Sequence, residues 1–403
     1  MDKIPSIKYC KKQEGDYLTV TPDWVKANVP KVIIYKDFDT EKINFTPTRR
    51  LPRRIISKFD TDILKNNIYL PNKNTNTVAE KILSILLNSN VRRGSLSIIK
   101  SYIPILKEKI ETLVDNNLPI QLVIPALPHK KMNSITTGHS IDFIDLGEYV
   151  CMQQFKNIAL SIFRVYEYGV KIIIVPDGIA LAHIFAQNDI SGIISYRNKL
   201  SNIIKELDMC NVMEICDLEK IIRLDSSFDL IKDKIKRVLS ELGRDDSEVM
   251  QGVNILKKAM YFNVPLSHSI QKNIKLMKLP SYDVPKQIKD RIDFATFEYA
   301  AILLTLRKLE LIKKAYPQAI RASVHSKSTA SFPINLINDS TQIFPYNGIP
   351  VVRKTKFGRN GNIRTATTIL RLYEIYKYQS ATEVYIKGQS EPFYYEINGL
   401  REK

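Results

Sequence analysis

The sequence has few glycines, cysteines and histidines, and each shortage excludes a class of protein. It has 14 glycines in 403 residues, about half the usual share, which argues against collagen-like and propeller architectures. The four cysteines are too few and too scattered for a disulfide framework. The five histidines form no HExxH pair and join no cysteine cluster. We therefore expect no metal site.

Long apolar runs and phosphate-binding glycine motifs are also missing. No run reaches the ~18 apolar residues that a membrane-spanning helix needs, and the first residues, MDKIPSIKYC, lack the apolar region of a signal peptide. We expect a cytoplasmic protein without membrane contact. The glycines of FGRNGNIRT (357–365) match neither GxGxxG nor GxxxxGK, so nucleotide binding through those motifs is not expected.

The chain carries a large excess of positive charge. Its 60 basic and 42 acidic residues give a formal net charge of +18, which could serve a nucleic acid, a membrane surface or a small anionic substrate. Most lysines lie beside Glu or Asp in helical patterns that are typical of solvated faces. Because no nucleic-acid-binding motif accompanies them, we expect no nucleic-acid partner. The sharpest basic cluster is Arg49, Arg50, Arg53 and Arg54.

From residue 78 onwards, helical patterns alternate with β-branched runs. A helix is predicted over 95–116 before a strand at 119–127, and another over 145–168 before a strand at 171–178. The unbroken Ile and Val run of the second strand is typical of a strand covered on both faces. This alternation predicts an α/β fold with a Rossmann-like, mostly parallel central sheet flanked by helices, in which these two strands are parallel neighbours.

The composition suggests one main domain with an N-terminal extension and a helical insertion. We predict an N-terminal extension over 1–77 and an α/β domain over 78–403, of which 190–315 forms a mostly helical insertion. The insertion ends in a long helix over 289–316. Beyond it we predict strands at 319–325, 332–338 and 348–354, a helix at about 365–378, and a closing pair of strands formed by TEVYIKG and FYYEI.

Polar residues follow two predicted strands at their carboxyl ends, where open α/β sheets bind ligands. Lys130, Lys131 and Asn133 follow the first strand in PALPHKKMN. A lysine there could bind phosphate or, if desolvated, form a Schiff base, and the alternative is an exposed loop lysine. Asp177 follows the second strand in VPDG. It is a candidate catalytic residue, and the alternative is that it only caps a turn.

A third group lies within a strand. Alternation in RASVH places Arg321, Ser323 and His325 on one face. Three polar side chains on one face must meet water or a ligand, because a dry core would leave them unpaired. The alternative is the solvent face of an edge strand.

Taken in order, these segments resemble the pyoverdine/dityrosine biosynthesis family, whose best-understood bacterial members are isocyanide (isonitrile) synthases. The resemblance covers roughly residues 90–400. The matching segments are PALPHKKMN (125–133), Gly138, IDLGE (144–148), VPDG (175–178), NDI (188–190), Tyr196, RASVH (321–325), FPINL (332–336) and FPYNG (344–348).

The resemblance implies an enzyme that converts the α-amino group of an amino acid, usually tyrosine or tryptophan, into an isonitrile. The extra carbon would come from C2 of ribulose 5-phosphate as co-substrate, with no metal or redox cofactor. An iron(II)- and 2-oxoglutarate-dependent oxygenase would be the pathway partner that oxidises the product.

The resemblance also suggests roles for single residues. Lys130 would activate or capture the ketone, Glu148 and Asp177 would move protons, and His325 would hold the phosphate or carboxylate together with Arg321. These groups are expected to converge to within roughly 10 Å. The residues expected to bind substrate are Lys131, Asn133, Arg321, Ser323, Tyr346 and Asn347.

Two departures from the family pattern leave alternatives open. The family usually has Trp-His where this chain has Tyr346-Asn347, and a second lysine often follows where SITTG (134–138) stands here. One alternative is a divergent enzyme that performs another carbon–nitrogen condensation on a sugar phosphate. The other is a catalytically inert binding protein that keeps the pocket and contacts an anionic partner through the basic cluster at 49–54.

Overall fold

The computed structural model describes most of the chain, and the structural statements below concern the described residues alone. The predicted site residue Asn133 and the cluster residue Arg49 lie outside them. The described residues are 19–29, 50–59, 64, 66–132, 137–186, 188–245, 249, 251–254, 256–257, 260, 286–325, 331–338, 343–357 and 362–398.

The described strands form two five-stranded sheets. The strands are β1 (Arg53–Ile56), β2 (Ile120–Pro125), β3 (Val170–Val175), β4 (Met213–Ile215), β5 (Ile320–Ser323), β6 (Phe332–Pro333), β7 (Ile349–Phe357), β8 (Asn362–Leu370), β9 (Ala381–Ile386) and β10 (Tyr394–Asn398).

The helices are mostly short, and in the described part of the chain none is long and apolar enough to cross a membrane. They are α1 (Pro22–Asn28), α2 (Val78–Leu86), α3 (Leu96–Ile99), α4 (Ile103–Asp115), α5 (Leu146–Phe163), α6 (Ala182–Phe185), α7 (Ile190–Glu206), α8 (Leu218–Ile222), α9 (Phe228–Asp245), α10 (Lys286–Lys308), α11 (Leu311–Ala315) and α12 (Leu372–Ile375), with a 3₁₀ turn at Pro345–Asn347.

The first sheet is entirely parallel, in the order β4-β3-β2-β5-β6. β2 and β3 pair in parallel with Ile120 opposite Val170, so the predicted neighbouring strands are confirmed. Both faces are buried. One packs against a core that includes α2, α4, α5 and α7, and the other against a core that includes α1, α9 and α10. The predicted α/β fold with a mostly parallel central sheet is confirmed.

The second sheet is mixed, in the order β1-β9-β10-β7-β8. The predicted closing pair, β9 and β10, is antiparallel as expected. The sequence did not indicate that these strands would form a separate sheet. β1, from the predicted N-terminal extension, pairs in parallel with β9 at its edge. The described part of 190–315 is mostly helical, although it also supplies β4 to the parallel sheet. The domain boundaries stay a prediction.

Two predicted elements are wrong at the C-terminal side. The helix expected at about 365–378 is strand in its first part, because Asn362–Leu370 pairs along its whole length with β7, and only Leu372–Ile375 is helical. Thr365, Thr367 and Thr368 in this segment are β-branched and favour the sheet once a partner strand is present. The strand expected at 332–338 is limited to Phe332–Pro333.

Two predicted helices are each divided into two. The one expected over 95–116 breaks between Ile99 and Ile103, where Pro104 begins the first turn of α4 and has no N–H to continue the preceding helix. The one expected over 289–316 ends at Lys308, because Glu310 takes a left-handed conformation with φ 48° before α11 begins.

Candidate active site

The residues that follow β2 turn inward and are held by their backbone. Leu127, just after the strand, has φ 59°, a left-handed conformation that is costly for a side chain of this size. Beyond it, the N–H of Lys130 donates to the carbonyl of Ile141 at 3.0 Å, and the N–H of Lys131 donates to the carbonyl of Tyr346 at 3.0 Å. These bonds fix both lysines at the carboxyl end of the parallel sheet.

Gly178 lets the loop after β3 lie directly on the segment after β2. A Cβ atom at this position would be 2.2 Å from the backbone oxygen of Pro128, which no side chain allows. The glycine of the VPDG segment is thus needed for close approach. It brings the neighbouring Asp177 to the same edge of the sheet as Lys130 and Lys131.

Lys130 is fully buried and its ammonium group is saturated with partners. Its Nζ lies 2.5 Å from Oδ2 of Asp145 and 3.1 Å from Oε1 of Glu148, and it donates to the carbonyl of Pro345 at 2.9 Å. Burial by itself would lower the pKa of Lys130, but the two carboxylates raise it above its ordinary value. Lys130 is therefore a fixed cation, neither an exposed loop lysine nor an amine free to capture a ketone.

The partners of Lys130 come from the first turn of α5. Asp145 and Glu148 form a capping box, in which the N–H of Asp145 donates to Oε2 of Glu148 at 3.1 Å and Gly147 donates to Oδ1 of Asp145 at 2.8 Å. The hydroxyl of Tyr196 donates to Oε1 of Glu148 at 3.0 Å. Burial and the nearby Glu148 raise the pKa of Asp145 well above its ordinary value. The cluster can therefore store a proton as well as hold the helix.

A histidine joins this cluster to the mixed sheet. His139 Nδ1 lies 2.9 Å from Oε2 of Glu391, in the loop between β9 and β10, and its Nε2 lies 3.7 Å from Oδ2 of Asp145. Burial lowers the pKa of His139, with Glu391 opposing. Asp145, His139 and Glu391 are not among the site residues predicted from the sequence. The Asp-x-x-Glu spacing before an apolar run could have indicated Asp145 as a helix cap, whereas nothing local marks Glu391.

Lys131 points to a different environment from that of Lys130. It is 6% exposed, and its Nζ lies 4.1 Å from the ring centre of Phe185 in α6. Burial lowers the pKa of Lys131 to about 8, with the charge of Asp177 opposing, and burial raises the pKa of Asp177, with Lys131 opposing. Lys131 can therefore give and take a proton near neutral pH, next to a carboxyl group that holds its proton more tightly than usual.

His129, next to the two lysines, is also fully buried. Its Nδ1 lies 2.9 Å from the carbonyl oxygen of Lys130, and its Nε2 has no hydrogen-bond partner within the described residues. Burial first, and then the charge of Lys131, lower the pKa of His129 to about 3. Its ring is therefore neutral, with Nδ1 donating to the carbonyl and Nε2 left as an acceptor.

Aromatic and basic side chains meet beyond the carboxyl ends of β5 and β6. The His325 ring lies edge-on to Phe344 at 5.1 Å, Phe344 stacks on Tyr346 at 5.4 Å, and the Arg93 guanidinium lies 4.8 Å over Phe344. Ser323 accepts a hydrogen bond from the N–H of His325 at 3.2 Å. The sequence predicted all of these except Arg93 and Phe344 as site residues.

Of the remaining predicted residues, Asn347 belongs to this aromatic group and Arg321 lies away from it. Asn347 follows Tyr346, and its Oδ1 is buried without a hydrogen-bond partner in the part of the chain described. Arg321 is exposed and lies opposite Val123, before the carboxyl end of β2, and the titratable groups that act on it are Arg307 and Tyr102. Val123, Arg307 and Tyr102 are not predicted site residues. The surroundings of Arg321 therefore do not support its expected convergence with Lys130, Asp177 and His325.

Comparisons with known proteins show which proteins this chain resembles. The family model described as "Pyoverdine/dityrosine biosynthesis protein" matches residues 110–365. L-tryptophan isonitrile synthase AmbI1 of Fischerella ambigua (strain UTEX 1903) is 23% identical over 252 residues, which is 62% of this chain and 75% of that protein. L-tryptophan isonitrile synthase AmbI2 of the same organism is 24% identical over 235 residues, 57% of this chain and 66% of that protein.

A solved structure shares the fold. The crystal structure of the PvcA protein from Pseudomonas aeruginosa matches with a TM-score of 0.56 and 18% identity, covering 80% of this chain and 100% of that chain. The family model spans more than half of the present sequence and includes Lys130, Glu148 and Asp177. The resemblance predicted from the short motifs is confirmed, and the chain belongs to the pyoverdine/dityrosine biosynthesis family.

Proposed function

We propose that this protein is an isonitrile synthase-like enzyme that converts the α-amino group of an aromatic amino acid into an isonitrile. Ribulose 5-phosphate would supply the extra carbon, and no metal or redox cofactor would be required. Family membership and the two similar tryptophan isonitrile synthases support the reaction class. The single observation that carries the proposal is the position of Lys131, which is buried against Phe185 at the carboxyl end of the parallel sheet, next to the strand-end loop that contains Asp177.

Lys131 and Asp177 are suited to the first step of such a reaction, in which protons must move. The amine of the amino acid must be neutral when it bonds to C2 of the ketose, and the ketone oxygen of the sugar must leave as water. Lys131, whose pKa is about 8, can accept the proton that the amine loses. Asp177, whose pKa is raised by burial, can give a proton to the departing hydroxyl.

The aromatic group near β5 and β6 supports an aromatic substrate. Rings prefer offset or edge-on contacts with other rings, and Phe344, Tyr346 and His325 provide such surfaces. Arg93, which lies over Phe344, would pair with the carboxylate of the amino acid or with the sugar phosphate. In this proposal Arg93 replaces Arg321 as the anion-binding arginine. A downstream iron(II)- and 2-oxoglutarate-dependent oxygenase would consume the isonitrile.

The test is direct product detection. The protein is incubated with ribulose 5-phosphate and each amino acid in turn, and isonitriles are sought by mass spectrometry. We expect tyrosine or tryptophan to give a product that gains one labelled carbon from C2-labelled ribulose 5-phosphate and none from the C1-labelled sugar. Absence of isonitrile from all amino acids, with folded protein and both substrates present, would reject the proposal.

A second candidate is another carbon–nitrogen condensation on a sugar phosphate. Asn347, with its unpartnered Oδ1, occupies the place where the family usually has a histidine, and an amide cannot replace an imidazole in proton transfer. The same incubations distinguish the two, because this candidate consumes amine and sugar phosphate without forming an isonitrile.

The basic cluster gives little support to an inert protein that binds an anionic partner. Arg53 lies 3.1 Å from Glu383, and Arg54 lies 2.8 Å from Glu396. Both arginines therefore have carboxylate partners within the mixed sheet, which reduces the charge they offer to another molecule.

A further inference from the structure

We infer that Lys131 takes part covalently, by forming an imine with the ketose phosphate before the amino acid adds. This inference rests on the proposed function, since it assumes a ketose phosphate as substrate. It transfers to Lys131 the capture role that the sequence suggested for Lys130. The geometry of the two neighbouring lysines carries it.

The two lysines differ in whether carboxylates hold the amine at ion-pair distance within the described residues. Lys130 Nζ lies within 3.1 Å of oxygen atoms of Asp145, Glu148 and Pro345, and the first two are carboxylates. Removing its proton would leave both buried carboxylates without their cation. Lys131 forms no recorded ion pair with a carboxylate in the described structure, and its Nζ rests on the face of Phe185.

The surface under Lys131 is held firmly by α10. The ring of Tyr299 lies edge-on to Phe185 at 5.4 Å. Arg291 donates to the carbonyl of His183 at 3.1 Å, and His183 Nε2 lies 3.7 Å from Glu298. These contacts keep α6, and therefore Phe185, in place beneath the amine. A buried lysine on an apolar surface is the usual setting of a Schiff-base nucleophile.

The step balances with the groups present. The Nζ lone pair forms a bond to C2 as the carbonyl π bond breaks. The carbonyl oxygen then leaves as water, with one proton from the nitrogen and one from the Asp177 carboxyl group, which leaves an iminium ion and a carboxylate. The α-amine of the amino acid next adds to C2 and passes one proton to Lys131. Lys131 departs as a neutral amine, and the substrate nitrogen now carries the iminium carbon.

Reductive trapping tests the inference without requiring turnover. The wild-type protein is incubated with ribulose 5-phosphate and sodium cyanoborohydride in the absence of amino acid, and its peptides are sequenced by mass spectrometry. We expect Lys131 to gain the mass of the ketose phosphate less one oxygen atom. Lys130, on the same peptide, should remain unmodified and serves as the internal control. Lys199, whose side chain is 45% exposed, reports background labelling of surface lysines.

A variant supplies the second measurement. Lys131→Arg keeps the positive charge but cannot form an imine. The variant should therefore form no adduct, and its rate of isonitrile formation should fall by about 100-fold or more. Retention of full isonitrile formation by this variant would overturn the inference. The same holds if wild type makes isonitrile under conditions in which Lys131 is labelled no faster than Lys199.

These outcomes separate the inference from the proposed function. Isonitrile formation without a Lys131 adduct rejects the covalent step and leaves the proposed function standing. A specific Lys131 adduct without isonitrile from any amino acid rejects the proposed function and supports the inference, with the second candidate condensation as the reaction that uses the imine.

Discussion

Lys130 and Lys131 are consecutive residues whose side chains occupy opposite environments. Lys130 Nζ lies 2.5 Å from Oδ2 of Asp145, whereas Lys131 Nζ lies 4.1 Å from the ring centre of Phe185. Asp145 and Glu148 stand at the start of α5 and Phe185 lies in α6, so one lysine enters the ionic cluster and the other faces α6. The first is a permanent cation, and the second is an amine that titrates near neutral pH.

Replacing Lys130 should destabilise the fold. In Lys130→Met the two buried carboxylates of Asp145 and Glu148 lose their cation, and breaking a buried ion pair in this way costs about 3–5 kcal/mol. Denaturant unfolding measures the change. Lys199→Met is the control, because Lys199 pairs with Asp142 at a partly exposed site and should cost about 0–1 kcal/mol. Equal effects of the two substitutions would contradict the structural role of Lys130.

Removing the Tyr196 hydroxyl should cost more than removing a similar hydroxyl elsewhere. Tyr196 donates to the carboxylate of Glu148 at 3.0 Å, and a hydrogen bond to a charged group contributes about 1.5–3 kcal/mol. Tyr166 donates to the carbonyl of Leu118 at 2.8 Å, a neutral bond that contributes about 0.5–1.5 kcal/mol. Unfolding of Tyr196→Phe and Tyr166→Phe should show this order, and the reverse order would contradict a charge-assisted hydrogen bond between Tyr196 and Glu148.

The stability gained by replacing Lys131 should depend on pH. Folding lowers its pKa from 10.5 to about 8, so below pH 8 the folded protein bears the full cost of a buried charge. Between these values the unfolded chain binds more protons, and stability therefore rises with pH. Lys131→Met should accordingly be more stable than wild type by about 3 kcal/mol at pH 7.

The difference should shrink steadily from pH 8 and vanish above pH 10.5, since Lys131 is then neutral in both states. Thermal or denaturant unfolding of wild type and Lys131→Met, repeated from pH 7 to above pH 10.5, measures this difference in stability. In the wild type the titratable groups that act on Lys131 are Asp177, which opposes the lowering of its pKa, and His129, whose ring is neutral. A difference that does not change with pH would show that Lys131 has an ordinary pKa.

A methyl group at Gly178 should disturb the site as well as the fold. The added Cβ would meet the backbone oxygen of Pro128 at 2.2 Å, and relieving such overpacking costs about 1–3 kcal/mol. Gly178→Ala should therefore unfold more easily and lose isonitrile formation, because the Asp177 loop must move. Gly388→Ala is the control. Nothing lies within 4 Å of a Cβ at that position, so Gly388→Ala should retain activity despite the strained backbone. A Gly178→Ala enzyme that is as active as wild type would refute the close approach of Gly178 to Pro128.

Restoring the imidazole of the family pattern should increase activity. Asn347 places a buried amide oxygen without a described partner next to Tyr346. Asn347→His should raise the rate of isonitrile formation, because a histidine can transfer protons near neutral pH, whereas Asn347→Ala should give no gain. If both variants have the same rate as wild type, this position does not limit the reaction.

Local patterns were sufficient for the parallel sheet and insufficient for the mixed one. The Ile and Val runs of β2 and β3 can only be buried on both faces, so their pairing followed from composition and from the helices between them. The segment Asn362–Leu370 contains no such run. Its strand exists because β7 lies beside it, a contact that no window of sequence contains.

The sequence by itself determined the family, the α/β fold and the small set of polar residues that follow the strands, because these depend on periodicity and on short ordered motifs. Only the tertiary structure decided what those residues can do. Asp145 and Glu148 surround Lys130, Phe185 lies under Lys131, and Arg321 has Arg307 beside it. The charge state of a lysine is set by burial and by charges brought from distant parts of the chain, so two adjacent lysines acquire different chemistry only after folding.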